Sequence, residues 1–168
     1  PPALLVVLRR MRLGPPLLPR IRHSVLLGLK FACIATLIVV PVQLLWGFVL
    51  VQSGQRLEVQ NVVQIFAEPA SPMQPWLIAV FGVFVAPFTE KAVFRGLLYP
   101  SLRAKAPGGP FGAAVVVALL FALIHGNLMA FVPLFTLALV LAWVMERTNS
   151  LLACVTVHAL HNAASLAP

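Results

Sequence analysis

The chain contains a run of 21 residues, 31–51, without a single charged side chain. A helix needs about 20 apolar residues to cross the hydrocarbon core of a bilayer, where every backbone polar group must be bonded internally. The composition agrees, because 61% of the residues are hydrophobic and only 10% are charged, against about 25% charged in soluble domains. The sequence therefore predicts an all-α membrane protein.

Four further apolar stretches follow, at 76–99, 111–124, 128–145 and 151–166. With the first run they predict a bundle of about five transmembrane helices. Residues 54–72 are polar overall, but their apolar residues share one face at helical spacing, which predicts a short interfacial helix, with a solvated loop as the alternative. No internal repeat or long linker divides the chain, so 25–168 is predicted to form one transmembrane domain behind a basic flank, 1–24.

The charge distribution predicts how the chain is oriented. Five of its twelve Lys and Arg residues lie between Arg9 and Arg22, directly before the first apolar run, and Arg103 and Lys105 lie between the second and third. Basic flanks of this kind face the cytoplasm and its anionic lipid. We therefore expect an integral membrane protein with its N-terminus and the 101–110 loop in the cytoplasm, its C-terminus outside, lipid around it and no nucleic-acid partner, despite the formal charge of +8.

A few ionisable and amide side chains interrupt the apolar stretches, and such residues at membrane depth are functional candidates because their burial is costly. They are Glu90, Lys91, Arg95, His125, His158, His161 and Asn162. At about 1.5 Å per residue, Glu90 and His158 come out at a similar depth, and His125 somewhat deeper. Any one of them alone is equally well explained by a hydrogen bond to a neighbouring helix. An acid, two histidines and an amide on three helices favour a common site.

Two chemistries suit such a set. A carboxylate and a histidine can hold and deprotonate a water, while a second histidine and an amide donate hydrogen bonds to the oxyanion that forms when the water attacks a carbonyl. Alternatively, Glu90, His125 and His158 could bind a divalent metal such as zinc. The sequence has neither an HExxH motif nor a GxSxG motif, so attack by water with Glu90 as the base is the leading hypothesis.

Three ordered blocks, within residues 87–162, resemble the motifs of the CAAX protease and bacteriocin-processing (CPBP, or Abi) family of intramembrane proteases. The first is TEKAVFRG with Glu90 and Arg95, the second is FALIH ending at His125, and the third is HALHN with His158 and Asn162. The resemblance implies a helical membrane fold whose polar cavity opens toward the cytoplasmic half. It also implies endopeptidase activity on the C-terminal tail of a peptide or protein, as in eukaryotic relatives that remove the last three residues of prenylated CAAX proteins.

The resemblance further implies residue roles. Glu90 and His125 would activate water, and His158 and Asn162 would form the oxyanion hole. We expect Arg95 and Lys91 to be supporting residues of the site. Members have been described both as metalloproteases and as metal-free glutamate proteases, so the resemblance makes no cofactor certain. Bacterial members point to the bacterial plasma membrane as the location.

One position departs from the family pattern, in which a second Glu follows the first and lies four residues before the Arg. That position is Lys91 here. A catalytically inactive relative that binds a peptide or partner, in an immunity or scaffold role, is therefore the alternative. A proton or solute transporter is weaker, because no internal repeat is present. We expect Lys91 to turn toward the cytoplasmic rim or a carbonyl, and His161 to face away from the cavity.

Overall fold

A computed structural model describes residues 17–55, 65–66, 68 and 70–166 of the chain. These residues form five long helices and no strand. The helices are α1 (Leu17–Gln52), α2 (Gln74–Arg103), α3 (Gly109–Leu123), α4 (Leu128–Thr148) and α5 (Leu151–Leu166). The predicted all-α membrane architecture is confirmed. Residues 56–64, which carry most of the predicted interfacial helix, lie outside the described residues, so that helix stays a prediction.

The helices differ in length. Three of those described, α1, α2 and α4, are long and apolar enough to cross a membrane, whereas α3 and α5 are apolar but have only 15 and 16 residues. Many large apolar side chains of α1 and α2 are exposed, for example Leu37 at 75% and Trp76 at 72%. Such a surface suits lipid and not water.

Close packing of small residues holds α1 against α5. A Cβ added to Gly28 would lie 2.5 Å from Cβ of Thr156, so only glycine permits this approach of the two backbones. Nearby, the buried hydroxyls of Ser24 and Ser150 are 2.9 Å apart. Close contacts and hydrogen bonds of this kind are how helices associate where no hydrophobic driving force exists between them. α1 also packs along α4, and α3 packs against α4.

Helix α2 is not a regular α-helix. Two π-helical segments, Phe81–Val85 and Ala92–Leu98, flank the α-helical segment Ala86–Lys91. Single π-helical turns widen the helix and occur frequently at functional sites. Glu90 therefore lies on a short α-helical segment between two irregular turns.

Polar side chains join α2 to α4 at one end of the bundle. Arg103 donates two hydrogen bonds to the carboxylate of Glu146, at 2.7 and 2.8 Å, and the hydroxyl of Tyr99 donates to the same carboxylate at 3.0 Å. Bidentate pairs of this geometry are the strong form of a charge-assisted bond. This end, which also carries the 101–110 connection, is called the basic end below.

Candidate active site

A cavity of about 760 Å³ opens between α1, α2, α4 and α5. Glu90, His125, His158 and Asn162 all line it, so the four side chains chosen from the sequence lie together. α2 continues to Arg103, beyond the predicted end at residue 99. Glu90 is therefore farther from the basic end of its helix than the sequence predicted, which brings it closer to the depth of His125.

Glu90 lies between a cation and a histidine. Its Oε2 atom is 3.6 Å from Nδ1 of His158 and 3.8 Å from Nζ of Lys91. The side chain of Glu90 keeps an exposure of 24%, whereas His158 is 2% exposed. The carboxylate is thus held at the cavity wall with only part of its surface open to the cavity.

Buried side-chain atoms without a hydrogen-bond partner cluster around Glu90. Among the described residues these atoms are Oε2 of Glu90, Nζ of Lys91, Nε and Nη1 of Arg95, and Nδ1 of His158. Native proteins satisfy nearly all buried polar groups, and exceptions often mark strained or catalytic positions. These five atoms mark the surroundings of Glu90 as the candidate site.

His125 is positioned by the connection between α3 and α4. Its Nδ1 atom is 2.7 Å from the carbonyl oxygen of Phe121, and because a carbonyl only accepts, Nδ1 carries the proton and Nε2 of the neutral ring is left as an acceptor. Gly126, with φ of 59°, lets the chain turn toward α4 directly after His125. Asn127 then caps α4 by accepting a hydrogen bond from the backbone N–H of Ala130 at 2.8 Å.

The side chain of Asn162 is held by a backbone carbonyl of α2 that has no hydrogen bond within its own helix. Its Nδ2 atom donates to the carbonyl of Gly82 at 2.8 Å. In the π-helical register the N–H of residue 86 bonds to the carbonyl of Phe81, so the carbonyl of Gly82 would take its bond from residue 87, which is a proline and has no N–H. Pro87 thereby frees the carbonyl that orients the Asn162 amide. The motif pattern did not include Pro87 or Gly82, although a proline within a membrane helix is a known source of free carbonyls.

Two expectations about orientation are wrong. His161 also lines the cavity, because the wall covers a broad face of α5 that includes Ser165 and Leu166 as well. Lys91 does not turn toward the cytoplasmic rim: it is fully buried, with Nζ 4.0 Å from the centre of the Phe121 ring. That contact is a cation–π interaction in a desolvated site.

Arg95 is also fully buried and does not extend to the membrane surface. Its Nη2 atom donates to the carbonyl of Ala138 on α4 at 2.5 Å, as expected for pairing with a backbone carbonyl. Phe121 packs against the site from the other side, with its ring centre 4.8 Å from that of His125 and 5.8 Å from that of His158. The Phe121 ring thus packs against both histidines and also against the Lys91 ammonium.

The donor atoms do not fit a metal centre in this arrangement. No group of three or more His, Cys, Asp or Glu side chains that could hold a metal ion occurs among the described residues. Lys91 places an ammonium 3.8 Å from the carboxylate that would be a ligand, which opposes binding of a second cation there, although the Nδ1 bond of His125 leaves its Nε2 atom able to ligate. The chemistry below is therefore derived from the side chains alone.

The comparison with known families decides the assignment. Residues 72–164, more than half of the chain, match the family described as type II CAAX prenyl endopeptidase Rce1-like. The chain belongs to this family. No curated protein and no solved structure matches it significantly.

The matched range of the Rce1-like family includes every polar residue of the cavity described above except Gln43 of α1 and Ser165 of α5. It begins just before α2 and ends within α5, so the family core corresponds to α2–α5. Membership supports a CAAX-type protease of the membrane, and a peptide or protein as its substrate.

Proposed function

We propose that the protein is an intramembrane endopeptidase of the CAAX-processing type, in which Glu90 activates the attacking water. The observation that carries the proposal is the position of Glu90: a partly exposed carboxylate in a cavity that it shares with three histidines and an amide from other parts of the chain. The basic N-terminal flank supports an orientation with the N-terminus in the cytoplasm, and the proposed location in the bacterial plasma membrane rests on the family resemblance.

The proposed reaction is hydrolysis of a peptide bond. Glu90 accepts a proton from water while the water oxygen bonds to the carbonyl carbon, and the acceptor Nε2 of His125 helps to orient that water. The oxyanion receives hydrogen bonds from the second N–H of the Asn162 amide and from His158. The C–N bond then breaks, the proton passes to the leaving amine, and the products are a carboxylate and an amine.

Replacement of Glu90 by Gln tests the role of the carboxylate. Glu90→Gln keeps the shape of the side chain but removes the base, so we expect cleavage of a fluorogenic peptide with a prenylated CAAX tail to fall by about 10²–10⁴-fold. Glu68→Gln, which lies outside the cavity, is the matched control and should keep the wild-type rate. Wild-type cleavage by Glu90→Gln would exclude this mechanism.

An inactive peptide-binding relative is the second candidate, favoured by the Lys91 ammonium 3.8 Å from Glu90. It predicts that the wild-type protein binds such a peptide without cleaving it, and that Glu90→Gln binds equally well. Fluorescence anisotropy of a labelled peptide, followed over the time of a cleavage assay, separates the two functions.

A further inference from the structure

The cavity contains a third histidine that the proposed reaction does not use. His161 lies on α5 between His158 and Asn162, and it lines the same cavity as they do. Its side chain is half-buried, and within the described part of the chain its ring nitrogens make no hydrogen bond. The ring of His161 is therefore free to bind a group that enters the cavity.

The other three polar groups near the carboxylate already have partners or tasks. Nδ1 of His125 is 2.7 Å from a backbone carbonyl, and one N–H of Asn162 donates to another at 2.8 Å. Nδ1 of His158 is 3.6 Å from Oε2 of Glu90. In the proposed reaction their remaining hydrogen-bonding atoms serve the water and the oxyanion. His161 is left for a different part of the substrate.

The C-terminal tail of a peptide brings a second carboxylate into this cavity. The described wall is largely apolar and includes no Lys or Arg, so a carboxylate that loses its hydration there needs hydrogen bonds in return. The charge of Glu90 repels it, so its binding group has to lie away from Glu90. Within 4.0 Å the described charged partners of Glu90 are Lys91 and His158, and His161 is not among them.

Resting on the proposed peptidase function, we propose that His161 binds the terminal carboxylate of the substrate tail. An imidazole N–H donates to a carboxylate oxygen whether the ring is neutral or protonated, and hydrogen bonds to a charged group are the stronger ones. His161 follows His158 by three residues on α5, a spacing that puts the two Cβ atoms about 5–6 Å apart. The terminal carboxylate is then held a short distance from the oxyanion hole, and the site selects a chain end over an internal segment.

Paired substrates test this selection. The fluorogenic prenylated peptide is made once with a free C-terminal carboxylate and once with a C-terminal amide. We expect the wild-type protein to cleave the acid with a kcat/KM about 10–100-fold higher, the range of a hydrogen bond to a charged group. His161→Phe keeps a ring but has no donor, so it should lower kcat/KM for the acid to the value for the amide, through KM and not kcat.

Two further variants complete the series. His161→Gln keeps an N–H donor and should retain part of the preference for the acid. His23→Phe, at an exposed histidine outside the cavity, is the matched control and should behave as the wild type with both peptides.

Several results would overturn the proposal while leaving the peptidase function intact. They are equal cleavage of acid and amide by the wild-type protein, a preference for the acid that survives in His161→Phe, and an equal loss with both peptides, which would assign His161 a structural role. If no peptide is cleaved, the peptidase function fails. Fluorescence anisotropy with the labelled acid and amide then decides the binding role separately, because the acid should bind more tightly to the wild-type protein but not to His161→Phe.

Discussion

At the scale of single residues, Lys91 is the unusual feature of the site. Its ammonium is buried with no hydrogen-bond partner, between the Glu90 carboxylate and the Phe121 ring, and Arg95, another buried cation, follows one helical turn later. Two buried cations with one nearby carboxylate are poorly compensated. The free donors of Arg95, Nε and Nη1, would accommodate a carboxylate at position 91.

Replacing Lys91 should therefore not harm the fold. Apolar side chains that replace buried charges are often neutral or stabilising by about 1–4 kcal/mol, so Lys91→Met should keep or raise the thermal midpoint in detergent. Lys91→Glu should pair with Arg95 and leave cleavage equal or faster. Lys30→Met, at an exposed lysine, is the control for loss of a charge. A strongly inactive Lys91→Glu protein would assign Lys91 a direct role in the reaction.

The motif residues could be selected from the sequence because charge and amide groups are rare in an apolar chain. The directions in which the side chains of Lys91 and His161 point could not be predicted from the sequence. A helical wheel at about 100° per residue assumes a regular α-helix, but the π-helical segments before and after Glu90 change the phase of α2. The direction of His161 could not be predicted because the spacing of residues along α5 does not show how wide a face of that helix the cavity covers.

At the scale of the helical elements, the irregularity of α2 determines how the Asn162 side chain is held. The carbonyl of Gly82 is free because Pro87 lacks an N–H, and α5 supplies the missing donor. Pro87 thus acts as a positioning residue: it contacts no reacting atom but determines where the amide points.

Pro87→Ala tests this coupling. The restored N–H competes for the carbonyl of Gly82, so we expect the thermal midpoint to hold or rise while kcat falls, by up to about 10²-fold for a misplaced catalytic group. In a double-mutant cycle, Asn162→Ala should cost little further activity once Pro87 is replaced. Pro41→Ala, at the exposed proline inside α1, is the matched control. Fully additive losses would show that Pro87 and Asn162 act independently.

At the scale of the whole molecule, the spans were readable from hydropathy because lipid demands long apolar helices. The place of the cavity in the bundle was not readable, because it depends on how parts of different helices pack in three dimensions. The bundle is tied at the basic end by Glu146 with Arg103 and Tyr99. Among the helices that line the cavity, hydrogen bonds join α5 to α2, from Asn162 to Gly82, and α1 to α4, from Trp46 to Leu128.

The shortness of α3 and α5 has a consequence for the lipid itself. Helices of 15 and 16 residues measure about 22–24 Å, less than the roughly 30 Å of a typical hydrocarbon core, and a bilayer adapts to such a mismatch by thinning locally. His125 follows α3 and His158 lies on α5. Local thinning of the bilayer would therefore shorten the distance between interfacial water and these two histidines. In reconstituted vesicles, shorter acyl chains should raise the cleavage rate and longer chains should lower it; a rate independent of chain length would exclude this effect of membrane thickness.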